Sequence, residues 1–277
     1  MAVTRRVLLQ SLAATSVGAL AGVGAYGAVY GRHQITRIVQ DVAVRGLPPA
    51  LDGLRIGMIT DVHHSATVPP DDVVRAVTLL QEASPDLIVL GGDYVSFHDH
   101  NYIAPVAELL APLAQAPQGS FAVLGNHDDD RDMPAALAER GFTVLKDQRT
   151  ALAIRGERVD LAGIRFWTRA VGDVAKVLKG TGGTTILLAH DPRRLLEAAS
   201  LDVQLVLSGH THGGQVIVPG VGAIAGRKFP VLAGYAEREN TSLFVSRGVG
   251  TVYVPIRINC PPDVAVLTLR AVASPRS

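Results

Sequence analysis

The sequence predicts a layered α/β domain in which buried strands alternate with helices. Five short runs rich in Ile, Val and Leu have the length and composition of strands inside a sheet. Stretches of helical character separate several of these runs, and such alternation is typical of α/β layers. Hydrophobic residues make up 48% of the 277 residues, which is enough for a full core. The predicted strands cover residues 54–60, 87–90, 120–124, 184–189 and 203–208.

Proline in a first helical turn marks three predicted helices, because its missing N–H is not needed there. Two further segments, 150–166 and 243–269, have the turn residues and the apolar pattern of β-hairpins. No Ser/Pro-rich linker divides the chain after residue 46, and we therefore predict one domain at 46–271. The predicted helices run over residues 70–83 and 133–140, and onward from 191.

The first 31 residues are predicted to be a targeting or anchoring segment. Arg5 and Arg6 precede a stretch to Gly31 that has no charged side chain. Paired arginines before an apolar run resemble a twin-arginine export signal, and about 20 apolar residues also suffice for an N-terminal membrane anchor. Residues 32–45 would then connect this segment to the domain. We expect export across the cytoplasmic membrane, to the periplasm, the cell wall or an anchored extracytoplasmic position.

Charge and cysteine content exclude several classes of function. The balance of 26 Lys and Arg against 25 Asp and Glu gives a formal net charge of +1. Nucleic-acid binding through the phosphate backbone is therefore not expected, and membrane contact is expected only through the N-terminal segment. The single cysteine, Cys260, excludes an intrachain disulfide and a cysteine-only zinc site. Any metal must use His, Asp, Glu or Asn, and nine histidines are available.

The strongest functional signal is that all five predicted strands are followed by polar side chains able to bind a metal. Ligands of open α/β sheets bind at this carboxyl edge. Asp61 and His63 are two residues apart, as are His210 and His212, so each pair can chelate from one face of an extended segment. Single pieces of this kind are mostly turn or surface residues, but five in order indicate a site. The segments are Asp61-Val62-His63, Gly92-Asp93, Gly125-Asn126-His127-Asp128, His190-Asp191 and Gly209-His210-Thr211-His212.

This ordered set resembles the five-block signature of the calcineurin-like metallophosphoesterases, across roughly residues 54–215. The runs at 209–215 and 255–262, with the N-terminal segment, resemble the bacterial YkuE/YaeI-like subfamily of exported or membrane-associated phosphoesterases. The resemblance therefore extends over nearly the whole chain. It implies a four-layer α/β/β/α sandwich, in which two mixed β-sheets are flanked by helices and the metals lie at one edge.

The resemblance also implies a dinuclear metal centre in which Asp93 bridges two divalent ions. His127 resembles the family's proton donor to the leaving oxygen, a role that suits a group with a pKa near neutrality. A plain hydrogen-bonding role beside the metals is the alternative for His127. The mixed donors suit Mn, Zn or Fe rather than Ca, without distinguishing among the three. The other implied ligands are Asp61, His63 and His212 at one ion, and Asn126, His190 and His210 at the other.

The chain departs from the serine/threonine protein phosphatases of this family. Their bridging Asp block continues with a second Asp, which orients the acid histidine, and an Arg, which grips phosphate. Ser96 and Phe97 stand in this region instead, so that protein-phosphatase activity is not expected and His127 lacks an assigned partner. Asp128 is a candidate for this partner, although it could equally face a backbone amide or a positive side chain. His64 and Arg247 are two further candidates for a place beside the ligands or the substrate. The alternative for His64 is exposure at the surface, and the alternative for Arg247 is a structural ion pair.

By this resemblance, the expected activity is hydrolysis of a phosphodiester or phosphomonoester by a metal-bridging hydroxide, without a covalent enzyme intermediate. The substrate would be a small phosphoester or a phospholipid-type molecule, and the twin-arginine export machinery would be a partner. One alternative is a pyrophosphatase of a UDP-diacylglucosamine-type lipid precursor, whose cytoplasmic location conflicts with export. Another is a non-catalytic metal-binding scaffold at the membrane, which predicts a missing ligand or acid, whereas every position here is filled.

Overall fold

The computed structural model describes residues 5–272. Its α-helices are α1 (Arg5–Val29), α2 (Pro70–Gln81), α3 (Ile103–Leu110), α4 (Asp132–Glu139), α5 (Val171–Leu178) and α6 (Leu195–Ser200). Short 3-10 helices lie at Gly31–His33, Pro49–Leu51, His100–Tyr102, Ala111–Gln115, Pro192–Arg194 and His212–Gly214. The three helices predicted from first-turn prolines are thus confirmed as α2, α4 and the 3-10 turn that leads into α6.

The described residues contain fourteen strands, twelve of them in two six-stranded mixed sheets and two in a separate antiparallel pair. They are β1 (Thr36–Arg45), β2 (Arg55–Ile59), β3 (Leu87–Leu90), β4 (Ser120–Ala122), β5 (Thr143–Val144), β6 (Gln148–Ile154), β7 (Glu157–Ile164), β8 (Thr184–Ala189), β9 (Leu205–Ser208), β10 (Ile217–Val218), β11 (Gly222–Ala223), β12 (Gly234–Arg238), β13 (Thr241–Val245) and β14 (Asp263–Val272). The first sheet has the order β1-β14-β2-β3-β4-β5, and the second has the order β12-β13-β9-β8-β7-β6. Strands β2 to β5 run parallel in the first sheet, as do β7, β8, β9 and β13 in the second.

Alternating side chains of the central strands build separate apolar layers. In β3, Ile88 and Leu90 pack with α2, α3 and α4 on the outside of the first sheet. Leu87 and Val89 face the opposite way and pack against the second sheet. A third cluster covers the far side of the second sheet with residues of α5 and α6. The expected four-layer sandwich of two mixed sheets flanked by helices is confirmed, and burial on both faces explains why these strands are continuous apolar runs.

The assignment of residues 32–45 to a connecting segment is wrong. Residues 36–45 form β1, which pairs in parallel with β14 at the edge of the first sheet. Val42 and Val44 of this strand are fully buried in the layer between the sheets. The folded domain therefore begins before residue 46. Sequence reasoning missed β1 because its partner lies at the other end of the chain.

One of the two predicted hairpins is confirmed and the other is wrong. The segment 150–166 contains β6 and β7, which pair antiparallel around a turn at residues 155–156. The segment 243–269 is no hairpin, because β13 pairs with β9 in the second sheet while β14 lies in the first sheet. Residues 246–262 instead cross from one sheet to the other.

The end of α1 is attached to the domain. The backbone N–H of Arg257 donates to the carbonyl of Gly27 at 3.1 Å. Just beyond α1, Nδ1 of His33 lies 2.7 Å from Oδ2 of Asp72. Among the described residues, no helix combines the length and the apolar character needed to cross a bilayer. The export signal in residues 1–31 stays a prediction, and its first four residues lie outside the described part.

Candidate dinuclear metal centre

The predicted site residues meet where parallel strands of the two sheets end. This carboxyl edge is the ligand-binding edge of α/β sheets in general. Residues after β2, β3 and β4 approach it from the first sheet, and residues after β8 and β9 approach it from the second. The side chains that converge there are those of Asp61, His63, Asp93, Asn126, His127, His190, His210 and His212.

Backbone strain is concentrated in these segments. A left-handed conformation costs a non-glycine residue about 1–2 kcal/mol. Such strain persists where the surroundings hold it in place, and it clusters at functional sites. Here it turns the chain sharply away from each strand. The expected ligands with positive φ are Asp61 (+51°), His63 (+48°), Asp93 (+56°), His210 (+71°) and His212 (+51°).

The first cluster consists of Asp61, His63 and His212, whose donor atoms lie within 4.8 Å of one another. The Nε2 atoms of His63 and His212 are 3.2 Å apart. Burial raises the pKa of Asp61 to about 6 and lowers the pKa of His63 to about 4. Both shifts mean that the pocket disfavours charged side chains, so a bound cation would offset the cost of keeping the carboxylate ionised.

The second cluster consists of Asp93, His190 and His210, again within 4.8 Å. Nδ1 of His190 lies 2.8 Å from the Gly91 carbonyl, so this nitrogen donates and Nε2 faces Asp93 Oδ2 at 3.1 Å. A proton or a metal cation must separate these two acceptors. Burial lowers the pKa of His190, but the carboxylates of Asp93 and Asp61 outweigh it and raise that pKa to about 10. A metal ion would take the place of this proton.

Asp93 stands between the two clusters. Its Oδ2 is 3.5 Å from Nε2 of His63 and 3.1 Å from Nε2 of His190. Burial alone would raise the pKa of Asp93, but His190 and His63 hold it well below the ordinary value. A Cβ atom at Gly125 would overlap Oδ1 of Asp93, which explains why glycine precedes Asn126. A carboxylate in this position is suited to be shared by two cations.

Asn126 provides the clearest sign that a cation belongs here. Its Oδ1 is buried and has no hydrogen-bond partner among the described residues. Leaving a buried acceptor unsatisfied costs about 1–3 kcal/mol, so such atoms normally have a partner. Amide and carboxylate oxygens together with imidazole nitrogens suit divalent transition metals. The residues present therefore fit two metal ions.

The proton of His127 is fixed by the backbone. The N–H of Phe97 donates to Nδ1 of His127 at 3.0 Å, so the neutral ring carries its proton on Nε2. The His127 ring lies edge-on to the His63 ring, with centroids 5.0 Å apart. Burial lowers the pKa of His127. The ring thus presents a proton donor beside the first cluster, and Phe97 is the partner that sequence reasoning left unassigned.

Asp128 is not the partner of His127. Its Oδ2 accepts the N–H groups of Asp93 and Gly125, at 2.7 and 2.8 Å, and its Oδ1 accepts the N–H of Tyr94 at 2.8 Å. Burial and the nearby charge of Asp93 raise the pKa of Asp128 to about 7. Asp128 therefore holds together the backbone of the segment after β3 and that of the segment after β4.

The other two candidates are occupied elsewhere. His64 is buried rather than exposed, its Nδ1 lies 2.9 Å from the carbonyl of Val68, and its ring packs edge-on against Tyr102. Nε of Arg247 donates to Oδ2 of Asp263 at 2.7 Å, which is the structural ion pair that was the alternative interpretation. Both residues stabilise loops around the site.

Sequence reasoning missed Arg257, which is almost completely buried beside His212. Its guanidinium donates to the carbonyls of His212 at 3.4 Å and of Gly248 at 3.0 Å. Other acceptors are the carbonyls of Arg247, Gly250 and Cys260. The available signal was a charged residue placed between Ile256 and Ile258. Arg257 thus joins the His212 turn to the loop that follows β13.

The fold and the site together define a metallophosphoesterase, which is a phosphoester hydrolase. Residues 54–214, more than half of the chain, match the family model described as calcineurin-like phosphoesterase. The chain belongs to this family.

Curated relatives and one solved structure agree with this assignment. The metallophosphoesterase YkuE of Bacillus subtilis is 29% identical over 97% of this chain and 98% of its own length. The phosphodiesterase YaeI of Escherichia coli is 33% identical over 78% of this chain and 82% of its own length. The crystal structure of TT1561 from Thermus thermophilus resembles the fold with a TM-score of 0.50 at 13% identity, over 70% of this chain and 89% of that one. The expected resemblance to the YkuE/YaeI-like proteins is confirmed.

Proposed function

We propose that this protein hydrolyses a phosphodiester or a phosphomonoester at a dinuclear centre of Mn, Zn or Fe ions. The observation that carries the proposal is the position of Asp93 between the two clusters. Its Oδ2 lies 3.5 Å from Nε2 of His63 in one cluster and 3.1 Å from Nε2 of His190 in the other. The name of the Escherichia coli relative, a phosphodiesterase, favours a diester. When bound, two such ions polarise the phosphoryl group and acidify the attacking water.

The residues of the chain would orient the substrate and supply a proton. His127 keeps its Nδ1 occupied by the N–H of Phe97, and its Nε2 proton is available to the leaving oxygen. Burial lowers the pKa of His127, which favours the neutral ring that the Phe97 N–H also selects, with its proton on Nε2. Asp93 accepts the N–H of His127 at 2.8 Å and so fixes the distance between donor and metal ligands. Direct hydrolysis needs no covalent enzyme intermediate.

A second candidate is cleavage of a lipid-linked pyrophosphate of the UDP-diacylglucosamine type. A groove of about 730 Å³ includes His210 and His212 and is lined by apolar residues such as Ile224, Val254 and Ile256. An acyl chain in this groove would gain about 0.8 kcal/mol per buried methylene. Extracytoplasmic location would separate the protein from a cytoplasmic substrate of this kind. A non-catalytic scaffold is disfavoured because the ligand positions and the acid are all filled.

We also propose that the chain is exported by the twin-arginine machinery and acts outside the cytoplasm. Arg5 and Arg6 before an uncharged stretch support this, and the net charge of +1 gives no reason to expect nucleic-acid binding. Membrane contact would be limited to the N-terminal segment. Cell fractionation of the wild type and of the Arg5→Lys/Arg6→Lys variant tests the proposal, since retention of the wild type in the cytoplasm would contradict it.

The activity is tested with the protein reconstituted with each of the three metals. We expect turnover of bis-p-nitrophenyl phosphate, slower turnover of p-nitrophenyl phosphate, and a loss of more than about 100-fold in Asp93→Asn. Replacement of the proton donor in His127→Gln should lower kcat by about 10²–10⁴-fold. The exposed Asp130→Asn serves as control. Turnover in none of the metal forms, or unchanged turnover in Asp93→Asn, would overturn the hydrolase proposal. Preferred cleavage of a micellar lipid pyrophosphate would favour the second candidate.

A further inference from the structure

Two aromatic side chains stand exposed beside the proton donor. Phe97 is 58% exposed and Tyr253 is 79% exposed, although burying an aromatic ring is strongly favourable. Their ring centroids lie 5.5 Å apart at an interplanar angle of 61°. Both residues have positive φ, +54° and +60°, which is rare for bulky side chains. Exposed rings held by a costly backbone conformation indicate a role in contacting a ligand rather than in folding.

The two rings surround His127 on its outer side. The centroid of the His127 ring is 5.1 Å from that of Phe97 and 6.2 Å from that of Tyr253. The backbone of Phe97 also fixes the tautomer of His127. Because His127 would protonate the leaving oxygen, a leaving group must pass next to these rings.

A cleft of about 470 Å³ opens at the aromatic pair, Phe97 and Tyr253. Ser65, Ser96 and Thr251 are among its lining residues, and the hydroxyl groups of the two serines contact His63. Tyr253 also lines the apolar groove beside His210, so its ring divides two binding spaces that adjoin the site. A phosphodiester carries two organic groups, and this division would give each of them a separate space.

We propose that the aromatic pair binds a planar aromatic or heteroaromatic ring in the leaving group of the substrate, an inference that rests on the proposed hydrolase function. Edge-to-face and stacked ring contacts are favourable beyond the area that they bury. The hydroxyl oxygens of Ser65 and Ser96 keep lone pairs that can accept a hydrogen bond from a polar substituent of such a ring. Phe97 and Tyr253 are therefore specificity-determining residues for the leaving group, while the groove beside His210 receives the other substituent.

Two diesters with leaving alcohols of similar acidity separate ring recognition from chemistry: methyl phenyl phosphate and methyl hexafluoroisopropyl phosphate. The variants are Tyr253→Asn and Phe97→Asn, because Asn tolerates positive φ and the backbone N–H of residue 97 is kept. Each should lower the phenyl-over-alkyl ratio of kcat/KM by roughly three- to tenfold, through KM. Tyr253→Phe keeps the ring and should keep the preference. Tyr30→Asn, an exposed aromatic outside the cleft, is the control.

If Tyr253→Asn and Phe97→Asn leave the phenyl-over-alkyl ratio of kcat/KM unchanged, whether or not both rates fall, the ring site is overturned. If the wild type hydrolyses neither diester with any metal, the hydrolase proposal is decided by bis-p-nitrophenyl phosphate, and a binding measurement decides the ring site separately. Titration calorimetry of the metal-loaded protein compares phenylphosphonate with propylphosphonate. Tighter binding of phenylphosphonate that disappears in Tyr253→Asn supports the site, and equal binding of the two ligands overturns it.

Discussion

Oδ2 of Asp128 accepts a hydrogen bond of 2.7 Å from the backbone N–H of Asp93. The same oxygen accepts the N–H of Gly125, and Oδ1 accepts the N–H of Tyr94. One buried carboxylate thus ties the segment after β3 to the segment after β4. The position of Asp93 relative to Asn126 therefore depends on a side chain that has no role as a ligand.

Replacing Asp128 by Asn should weaken this connection. The Asn side chain has one acceptor oxygen, and its NH₂ group would face a backbone N–H, so at least one bond is lost. We expect metal affinity or kcat to fall by about 10- to 100-fold, as is usual when the support of a ligand is removed. Metal titration and kinetics measure this, with the exposed Asp130→Asn as control. Wild-type metal affinity and turnover in Asp128→Asn would show that the three bonds are dispensable.

Gly209→Ala should disrupt the first cluster. A Cβ atom at residue 209 would overlap Oδ2 of Asp61 and Oγ1 of Thr60. Overpacking of this kind costs about 1–3 kcal/mol, and here it would also displace a ligand. Gly172→Ala in α5 is the matched control, since nothing lies within 4 Å of the added atom and helix propensity predicts a gain of up to about 1 kcal/mol. The unfolding temperature and the number of metal ions bound per chain should fall only in Gly209→Ala. Equal unfolding temperatures and equal metal content in the two variants would contradict the overlap with Asp61.

Arg257→Met should destabilise the fold by several kcal/mol. The guanidinium is buried and pairs with backbone carbonyls around His212, and each carbonyl left unpaired costs about 1–3 kcal/mol. Urea unfolding of the metal-free protein measures the loss. Arg270→Met is the control, because Arg270 lies on the surface and exposed ion pairs contribute at most about 1 kcal/mol. If the free energies of unfolding of the two variants differ by less than about 1 kcal/mol, a structural role for Arg257 is contradicted.

Asp160 should give the protein a pH-dependent part of its stability, away from the metal site. Burial alone would raise its pKa, but hydrogen bonds from Arg158 and from the N–H groups of Gly182 and Gly183 outweigh this and lower the pKa. A carboxyl group with a lowered folded-state pKa stabilises the fold above its unfolded pKa of about 3.9, and this contribution is lost as pH falls through the folded pKa.

Asp160→Asn should therefore lower the free energy of unfolding by about 1–3 kcal/mol at neutral pH and by less in acid. Urea unfolding near pH 7 and near pH 3 measures the difference, and the exposed Asp41→Asn is expected to be neutral at both. A cost for Asp160→Asn that stays constant between the two pH values would rule out the ionised carboxylate as its source.

The contacts that support the ligands were beyond sequence reasoning. His127 takes its partner from the backbone of Phe97, and any residue except proline could supply that N–H. Arg257 reaches His212 because the chain crosses between the sheets after β13, where the local sequence pattern predicts a hairpin. For Asp128 the sequence leaves the His127 ring, a backbone amide and a positive side chain open, and only the fold shows that it accepts backbone N–H groups across the sheet edge.

The sequence by itself determined the candidate metal ligands of this site and their order along the chain. Buried strands followed by Asp, Asn and His are a local pattern, and a strand's carboxyl end is known once the strand is known. Only the tertiary structure decided that β1 pairs with β14, that Asp93 lies between two clusters, and that Phe97 and Tyr253 meet beside His127. These relationships join segments far apart in the chain, and they arise from the packing of two sheets rather than from any local preference.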